Sequence, residues 1–363
     1  MSDRILEIGR IERRSGQDGS SVVSANVDGQ RLWFESQDEL EINADAFLCA
    51  FLLQAMASGR TLSLADPVDA KLLSAVPEIA ALAGSWWGYR SVEIRCPTVT
   101  RPAAGGDAMF FTSGVDSFYT LWRNRASLGH LINIHGFDIA LDDTDRFMRS
   151  AESIRRAADA TGCQPLFVAT NMRSHPTFAS VSWNKCHIAA LAAVAHLLRG
   201  RVQRVFVASS DVPPPFGSHP DLDRLWSSSA VEIVNDERDV SRLDKIRAFA
   251  DWPIAHQTLK VCWENRSSAL NCGECEKCVR SSAQLKATGI LDKVTTFPRS
   301  PLAPRINALS GVSSELVRQW QDILAETHDR EEADAIRALL QRTARSGSKI
   351  AKWKKRLSKL FAN

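Results

Sequence analysis

The spacing of apolar residues changes character near residue 100. Before it, Ile5 to Ile11 alternates as a strand does, and Val22 to Phe34 reads as a hairpin turning at Asp28-Gly29. Ala44 to Ala57 carries apolar residues at helical spacing, Thr61 to Leu64 is a short strand, Lys71 to Leu82 a second helix and Val92 to Arg95 a last strand. Residues 1–101 therefore predict a small α/β module without a catalytic constellation. Its role is open: substrate binding, cover or dimerisation. Trp86 and Trp87 read as packing residues, with a ligand platform as the alternative. Pro102-Ala103-Ala104-Gly105-Gly106 reads as a linker.

From Ala108 strands and helices alternate. Strand Met109–Phe111 leads to helix Ser117–Arg125, strand Leu131–His135 to helix Asp143–Thr161, and strand Pro165–Thr170 to helix Asn184–Leu198. Strand Arg204–Ala208 precedes a long Pro- and Gly-rich loop, and Val231–Val234 is a further short strand. This repetition predicts an α/β fold with a parallel sheet flanked by helices. Ligands of such sheets bind beyond the carboxyl ends of the strands, so the loops Thr112–Ser117, His135–Asp138, Thr170–Trp183 and Ser209–Trp226 are expected to converge on one site. His187 and His196, on an Ala- and Leu-rich helix, read as packed histidines rather than bases.

Composition adds little to this and excludes some classes. The 363 residues are 44% hydrophobic and 24% charged, with a formal net charge of +3, which does not by itself indicate a nucleic-acid binder. No long apolar run and no secretory leader pattern is visible, so a cytoplasmic location is expected. Of the eight cysteines, Cys49, Cys96, Cys163 and Cys186 are scattered in apolar surroundings, whereas Cys262, Cys272, Cys275 and Cys278 are clustered. Cys-x-x-Cys steps bring thiolates onto one ion, and four thiolates complete the tetrahedral shell of Zn²⁺, predicting a closed structural site. An iron–sulfur cluster, a redox pair or free thiols are the alternatives.

Two motifs carry the candidate chemistry. Met109-Phe110-Phe111-Thr112-Ser113-Gly114-Val115-Asp116-Ser117 is a buried strand, a small hydroxyl-rich turn and a helix start, and such a start favours an anion. Thr112 to Ser117 resembles the Ser-Gly-Gly-x-Asp-Ser loop of the PP-loop ATP pyrophosphatases, with Ser113 standing where that family has its first glycine. The chain from Ala108 to Leu285 is similar to the 7-cyano-7-deazaguanine synthases of that superfamily. The spacing Cys262…Cys272-Gly273-x-Cys275-x-x-Cys278, Ser218-His219-Pro220-Asp221, Trp183-Asn184-Lys185 and Arg280 carry this likeness.

The resemblance implies an adenine nucleotide α-hydrolase-like (HUP) PP-loop domain at 107–260 followed by a four-cysteine zinc module at 261–298; the tail at 299–363 lies outside the resemblance and reads as helical. It implies that ATP is split to AMP and pyrophosphate as a substrate carboxylate becomes an acyl-adenylate, which ammonia or another amine then attacks. Thr112, Ser113, Gly114, Val115, Asp116 and Ser117 would hold the phosphates, and His135 and Asp138 would lie near adenosine. Asp116 would hold Mg²⁺, cap the helix, or both, with Ser117 beside it. His219 and Asp221 are the candidate substrate contacts. A sulfurtransferase using Cys163 or Cys186, conjugation of the adenylate to a protein or modified base, and a non-catalytic nucleotide-binding scaffold are the alternatives. In the tail, Ser314 to Gln341 predicts two helices, and residues 348–363 form a basic amphipathic helix. Its expected partners are an anionic membrane surface, RNA or an acidic partner, with self-docking as the alternative. A homodimer is a further expectation.

Overall fold

A computed structural model describes residues 4–209, 215–237 and 239–360, with side chains through residue 345. The amphipathic stretch 348–363 therefore lies outside the residues whose side chains are described. The chain forms two compact units, Met1–Asp239 and Val240–Asn363.

The first unit begins with β1 (Ile5–Ile8), β2 (Glu12–Ser15), β3 (Ser21–Val27) and β4 (Gln30–Ser36). The β3–β4 turn is made by Asp28 and Gly29, both at positive φ, as the hairpin pattern predicts. Next come α1 (Ala44–Ser58), β5 (Thr61–Leu64), β6 (Val68–Asp69), α2 (Ala70–Trp87), β7 (Ile94–Arg95) and β8 (Thr98–Val99). The alternating region supplies β9 (Gly106–Phe110), α3 (Val115–Asn124), β10 (Leu128–His135), α4 (Thr144–Thr161) and β11 (Gln164–Thr170). It continues with α5 (Pro176–Ala179), α6 (Trp183–Leu197), β12 (Val202–Ala208), α7 (Pro220–Asp223) and β13 (Glu232–Asp236).

Strands β9 to β13 form a parallel block in the order β13-β12-β9-β10-β11. The order reverses at β9, with later strands on both sides of it. Such a reversal marks the carboxyl end of the strand as the place where open α/β sheets bind ligands.

The division of the chain differs from the expected one. Residues 1–101 are not separate: β4 pairs antiparallel with β11, Thr170 opposite Phe34, and β3, β1, β5 and β7 extend the same sheet. Helix α1 explains the union. It is apolar all round and almost wholly buried, and it packs on the alanine-rich face of α6, whose small side chains permit close approach. Polar tethers fix this packing: Asn43 caps α1 through the Asp45 amide and donates to the carbonyl of His196 at 2.9 Å. Buried Asp69 accepts from the amide and hydroxyl of Ser229 at 2.9 and 3.0 Å, and Arg101 lies 3.5 Å from buried Asp45. Residues 102–106 thus connect parts of one unit.

The second unit holds α8 (Arg242–Ala248), α9 (Pro253–Thr258), the cysteine-rich segment, α10 (Glu276–Ala287), α11 (Leu302–Asn307), α12 (Val317–Glu326) and α13 (Arg330–Leu360). Val279, Leu302, Ile306, Trp320, Ile323, Ile336 and Leu339 form its own core. The expected zinc module and the helices after it therefore belong to one body. Among the described residues no helix is long and apolar enough to cross a membrane.

Candidate functional site

Strand β9 leads into the loop Phe111–Gly114 at the carboxyl end of the sheet. Phe111 is buried, and its carbonyl accepts from the Asn133 side chain on β10 at 2.9 Å, which pins the base of the loop. Thr112 is exposed. Ser113 is fully buried at φ +59°, a left-handed conformation that suits glycine, and its hydroxyl makes no hydrogen bond. A strained, polar, unsatisfied residue at a strand-to-helix turn is the kind of feature that concentrates at functional sites. Gly114 is the N-cap of α3 and provides no side-chain cap; Val115, Asp116 and Ser117 form its first turn, with Ser117 donating to the Gly114 carbonyl at 3.0 Å. The helix start is therefore left to the backbone, as an anion site requires. Replacing Ser113 with glycine is expected to stabilise the first unit by about 1 kcal/mol, because the left-handed strain and the buried hydroxyl both go. Chemical denaturation of the variant beside the parent checks this, and an unchanged or lower midpoint would refute the strain.

The second loop is engaged in its own architecture. His135 is buried, stacks on Phe147 at 4.0 Å with nearly parallel rings, and hydrogen-bonds the Ala140 carbonyl at 2.9 Å. It orders the 136–141 turn. Asp138 is exposed. His196 is fully buried and bonds the Trp226 carbonyl at 2.9 Å, so it is a packed histidine. His187 is half-buried with Phe216 at 4.8 Å, and burial pushes its pKa down to about 4, keeping the ring neutral. Cys186 is fully buried and its thiol is pushed up to about 12 by burial; Cys163 is buried and donates to the Leu128 carbonyl at 3.3 Å.

The fourth loop folds against α6. The Gly217 amide donates to the Asn184 carbonyl at 2.7 Å, and a Cβ on Gly217 would lie 2.6 Å from that oxygen, so only glycine fits. His219 caps α7, its Nδ1 accepting from the Asp221 amide at 3.2 Å, while the Asp221 carboxylate is largely exposed 3.4 Å from the ring. The residue that organises this loop is Asp223, which sequence reasoning passed over. It is fully buried and accepts from Ser218 Oγ at 2.7 Å, the His219 amide at 2.8 Å and Asn235 Nδ2 at 2.6 Å.

Burial raises the Asp223 pKa to about 6, against the hydrogen bonds. A raised acid pKa favours the folded state at low pH, and that contribution is lost as pH rises toward 6. Asp223→Asn is therefore expected to remove on the order of 2–3 kcal/mol of the pH dependence of stability between pH 4 and 6. Urea unfolding of both proteins at the two pH values measures it; parallel pH dependences would contradict the assignment.

In the second unit, the Sγ atoms of Cys262, Cys272, Cys275 and Cys278 lie within 4.8 Å of one another. Cys262 and Cys275 are 3.9 Å apart, and Cys272 and Cys278 3.8 Å. A tetrahedral thiolate shell with metal–sulfur bonds of about 2.3 Å has edges of about 3.8 Å. The set could thus hold a metal ion such as zinc, and all eight cysteines of the chain are free.

The scaffold around the cluster is specific. The Cys275 thiol caps α10, accepting from the Cys278 amide at 3.4 Å; hydrogen bonding from the Cys278 thiol draws the Cys275 pKa down to about 5 and holds that of Cys278 up. Gly273 sits at φ +79° against Pro298. Buried Asn271 was not visible as a site residue. Its Oδ1 accepts from the Val261 and Cys262 amides at 2.8 and 3.2 Å, and its Nδ2 donates to Leu259 and Thr296 carbonyls at 2.9 and 3.2 Å, closing the knuckle. Arg305 donates to the Gly273 carbonyl at 2.7 Å and brings positive charge beside the thiolates. Arg280 is buried and structural, bonded to Glu276 at 2.8 Å and Gln319 at 2.5 Å.

Scans against protein-family models, curated proteins and solved structures return no match to this chain.

Proposed function

We propose that the protein is an ATP-dependent ligase of the PP-loop type. It activates a substrate carboxylate as an acyl-adenylate, releasing pyrophosphate, and passes the acyl group to ammonia or another amine, releasing AMP. The observation that carries the reading is the loop Thr112–Ser117: a hydroxyl-rich turn, left-handed at Ser113, opening a helix without a side-chain cap at the sheet's point of reversal. Its likeness to the PP-loop motif and the four-cysteine cluster downstream point the same way.

In this reading the backbone and hydroxyls of Thr112 to Ser117 receive the charge that builds on the departing pyrophosphate. The carboxylate oxygen attacks the α-phosphorus and the bond to the β-phosphate breaks; the amine nitrogen then attacks the acyl carbon, AMP leaves and the nitrogen gives up a proton. Asp116, in the first turn of α3, would hold a Mg²⁺ ion, which when bound would neutralise phosphate charge. The four-cysteine cluster, holding zinc, is structural, because four thiolates leave no open position. His219 and Asp221, ordered by Asp223, supply the substrate contacts. The thiols of Cys163 and Cys186 are buried and bonded to carbonyls, which weighs against sulfur transfer.

The test is turnover by the metal-replete full chain with ATP, Mg²⁺, ammonium and a panel of carboxylic acids. AMP and pyrophosphate in equal amounts, dependent on the acid, are expected. ATP binding without AMP under every condition would favour the scaffold reading instead.

A further inference from the structure

The amphipathic stretch read from the sequence at 348–363 does not begin a new element: α13 is continuous from Arg330 to Leu360. The first half of that helix belongs to the core of the second unit. Ile336 and Leu339 are buried there. Arg342 donates to the carbonyls of Ile306 and Leu309 at 3.3 and 3.1 Å, and Thr343 Oγ1 accepts from the Val312 amide at 3.1 Å.

Ile336, Leu339 and Thr343 stand at alternating steps of three and four residues. The same steps continue in the sequence through Ser346 to Ile350, Trp353, Leu357 and Leu360. A seven-residue repeat slips only about 20° per repeat on a straight helix, so these positions keep to the side that the first half uses for packing. What changes along α13 is the charge. Residues 330–345 mix acids and bases, whereas residues 346–363 hold six basic residues and no acidic one. The whole chain carries +3, so the remainder without this stretch is net negative.

Such a stretch needs a partner that offers hydrocarbon and dense negative charge together. RNA meets the charge but offers no hydrocarbon. A second copy of the chain brings the same six cations to the contact. The surface of an anionic bilayer supplies both, with headgroup charge outermost and acyl chains beneath, at the depth where tryptophan is enriched. Helices with a basic polar face and an apolar stripe lie in that interface rather than crossing it.

We propose that α13 beyond Thr343 is a membrane-surface anchor whose ligand is the anionic headgroup layer of a phospholipid bilayer. Because the anchor continues a core helix, attachment brings the second unit and its cysteine cluster to the surface. This attachment does not depend on the ligase reading.

Cosedimentation of the metal-replete full chain with vesicles tests it, using phosphatidylcholine alone or with about one-third phosphatidylserine. At about 0.15 M salt the mixed vesicles are expected to bind the protein about tenfold or more tightly than phosphatidylcholine alone. Most of that difference should be lost at about 0.5 M. A chain ending at Arg345 is expected not to bind. In the full chain, Leu357→Asp and the triple change Lys354→Gln, Lys355→Gln, Arg356→Gln are each expected to weaken binding about tenfold or more, with unchanged melting midpoints. No binding of the parent to the mixed vesicles overturns the anchor, as does equal binding to the two kinds of vesicle. Binding by Leu357→Asp within about threefold of the parent also overturns it, since the contact is then with charge alone, as RNA would give.

Discussion

Replacing Cys275 with alanine is expected to unfold the second unit. The residue has two duties: it is one of four mutually close sulfurs, and its thiol caps α10 by accepting from the Cys278 amide. Loss of the cap alone costs about 1 kcal/mol. Loss of a ligand costs far more, because a structural thiolate-bound metal contributes about 10–16 kcal/mol to the fold that binds it. The unit's helical core of Trp320, Ile323 and Ile336 lies on α12 and α13 and reaches the knuckle through α10 and α11.

The expected readings are about one zinc per chain in the parent and close to none in the variant. A thermal transition assigned to residues 240–345 should fall by more than about 15 °C, several kcal/mol in a unit of that size. Elemental analysis and hydrogen exchange provide both numbers. A parent protein that is fully stable after exhaustive chelation would remove the metal from the account.

Replacing Asp116 with alanine is expected to lower AMP formation about 100-fold or more, with little change in folding. Asp116 is half-buried in the first turn of α3, where a carboxylate adds only about 0.3–1 kcal/mol through the helix dipole. Stabilising charge on a transferring phosphoryl group is worth several kcal/mol in rate. The two magnitudes separate the readings. A melting point within a few degrees of the parent, with turnover nearly abolished, assigns Asp116 to the reaction. Asp116 does not cap α3, whose N-cap is Gly114 without a side-chain cap, so turnover within about threefold of the parent would leave it only the favourable charge at the helix start.

What the chain disclosed in advance depended on how local the determinant was. The β-α repetition, the helix start at Thr112–Ser117 and the cysteine spacing are encoded within a few residues of one another, and the structure places them as read. The boundary near residue 102 was misread because strand pairing is not a local property. Nothing in Gln30–Ser36 states that it will pair with Gln164–Thr170, and an all-round apolar helix such as α1 does not declare which face it will bury or against what. Asn133, Asp223 and Asn271 were missed for a related reason: each is a lone polar residue whose importance comes from partners assembled by the fold. Conversely, His135 stood in a promising loop, but its ring stacks on Phe147 and bonds Ala140, a contact no spacing rule predicts.

Under the proposed function, Thr112–Ser117 binds the phosphates of ATP. Hydrogen exchange of the metal-replete full chain with and without ATP and Mg²⁺ addresses it most directly. Saturable protection concentrated on the amides of Thr112 to Ser117 and the first turn of α3 is expected. No ATP-dependent protection, or protection confined to other parts of the sheet, would contradict it.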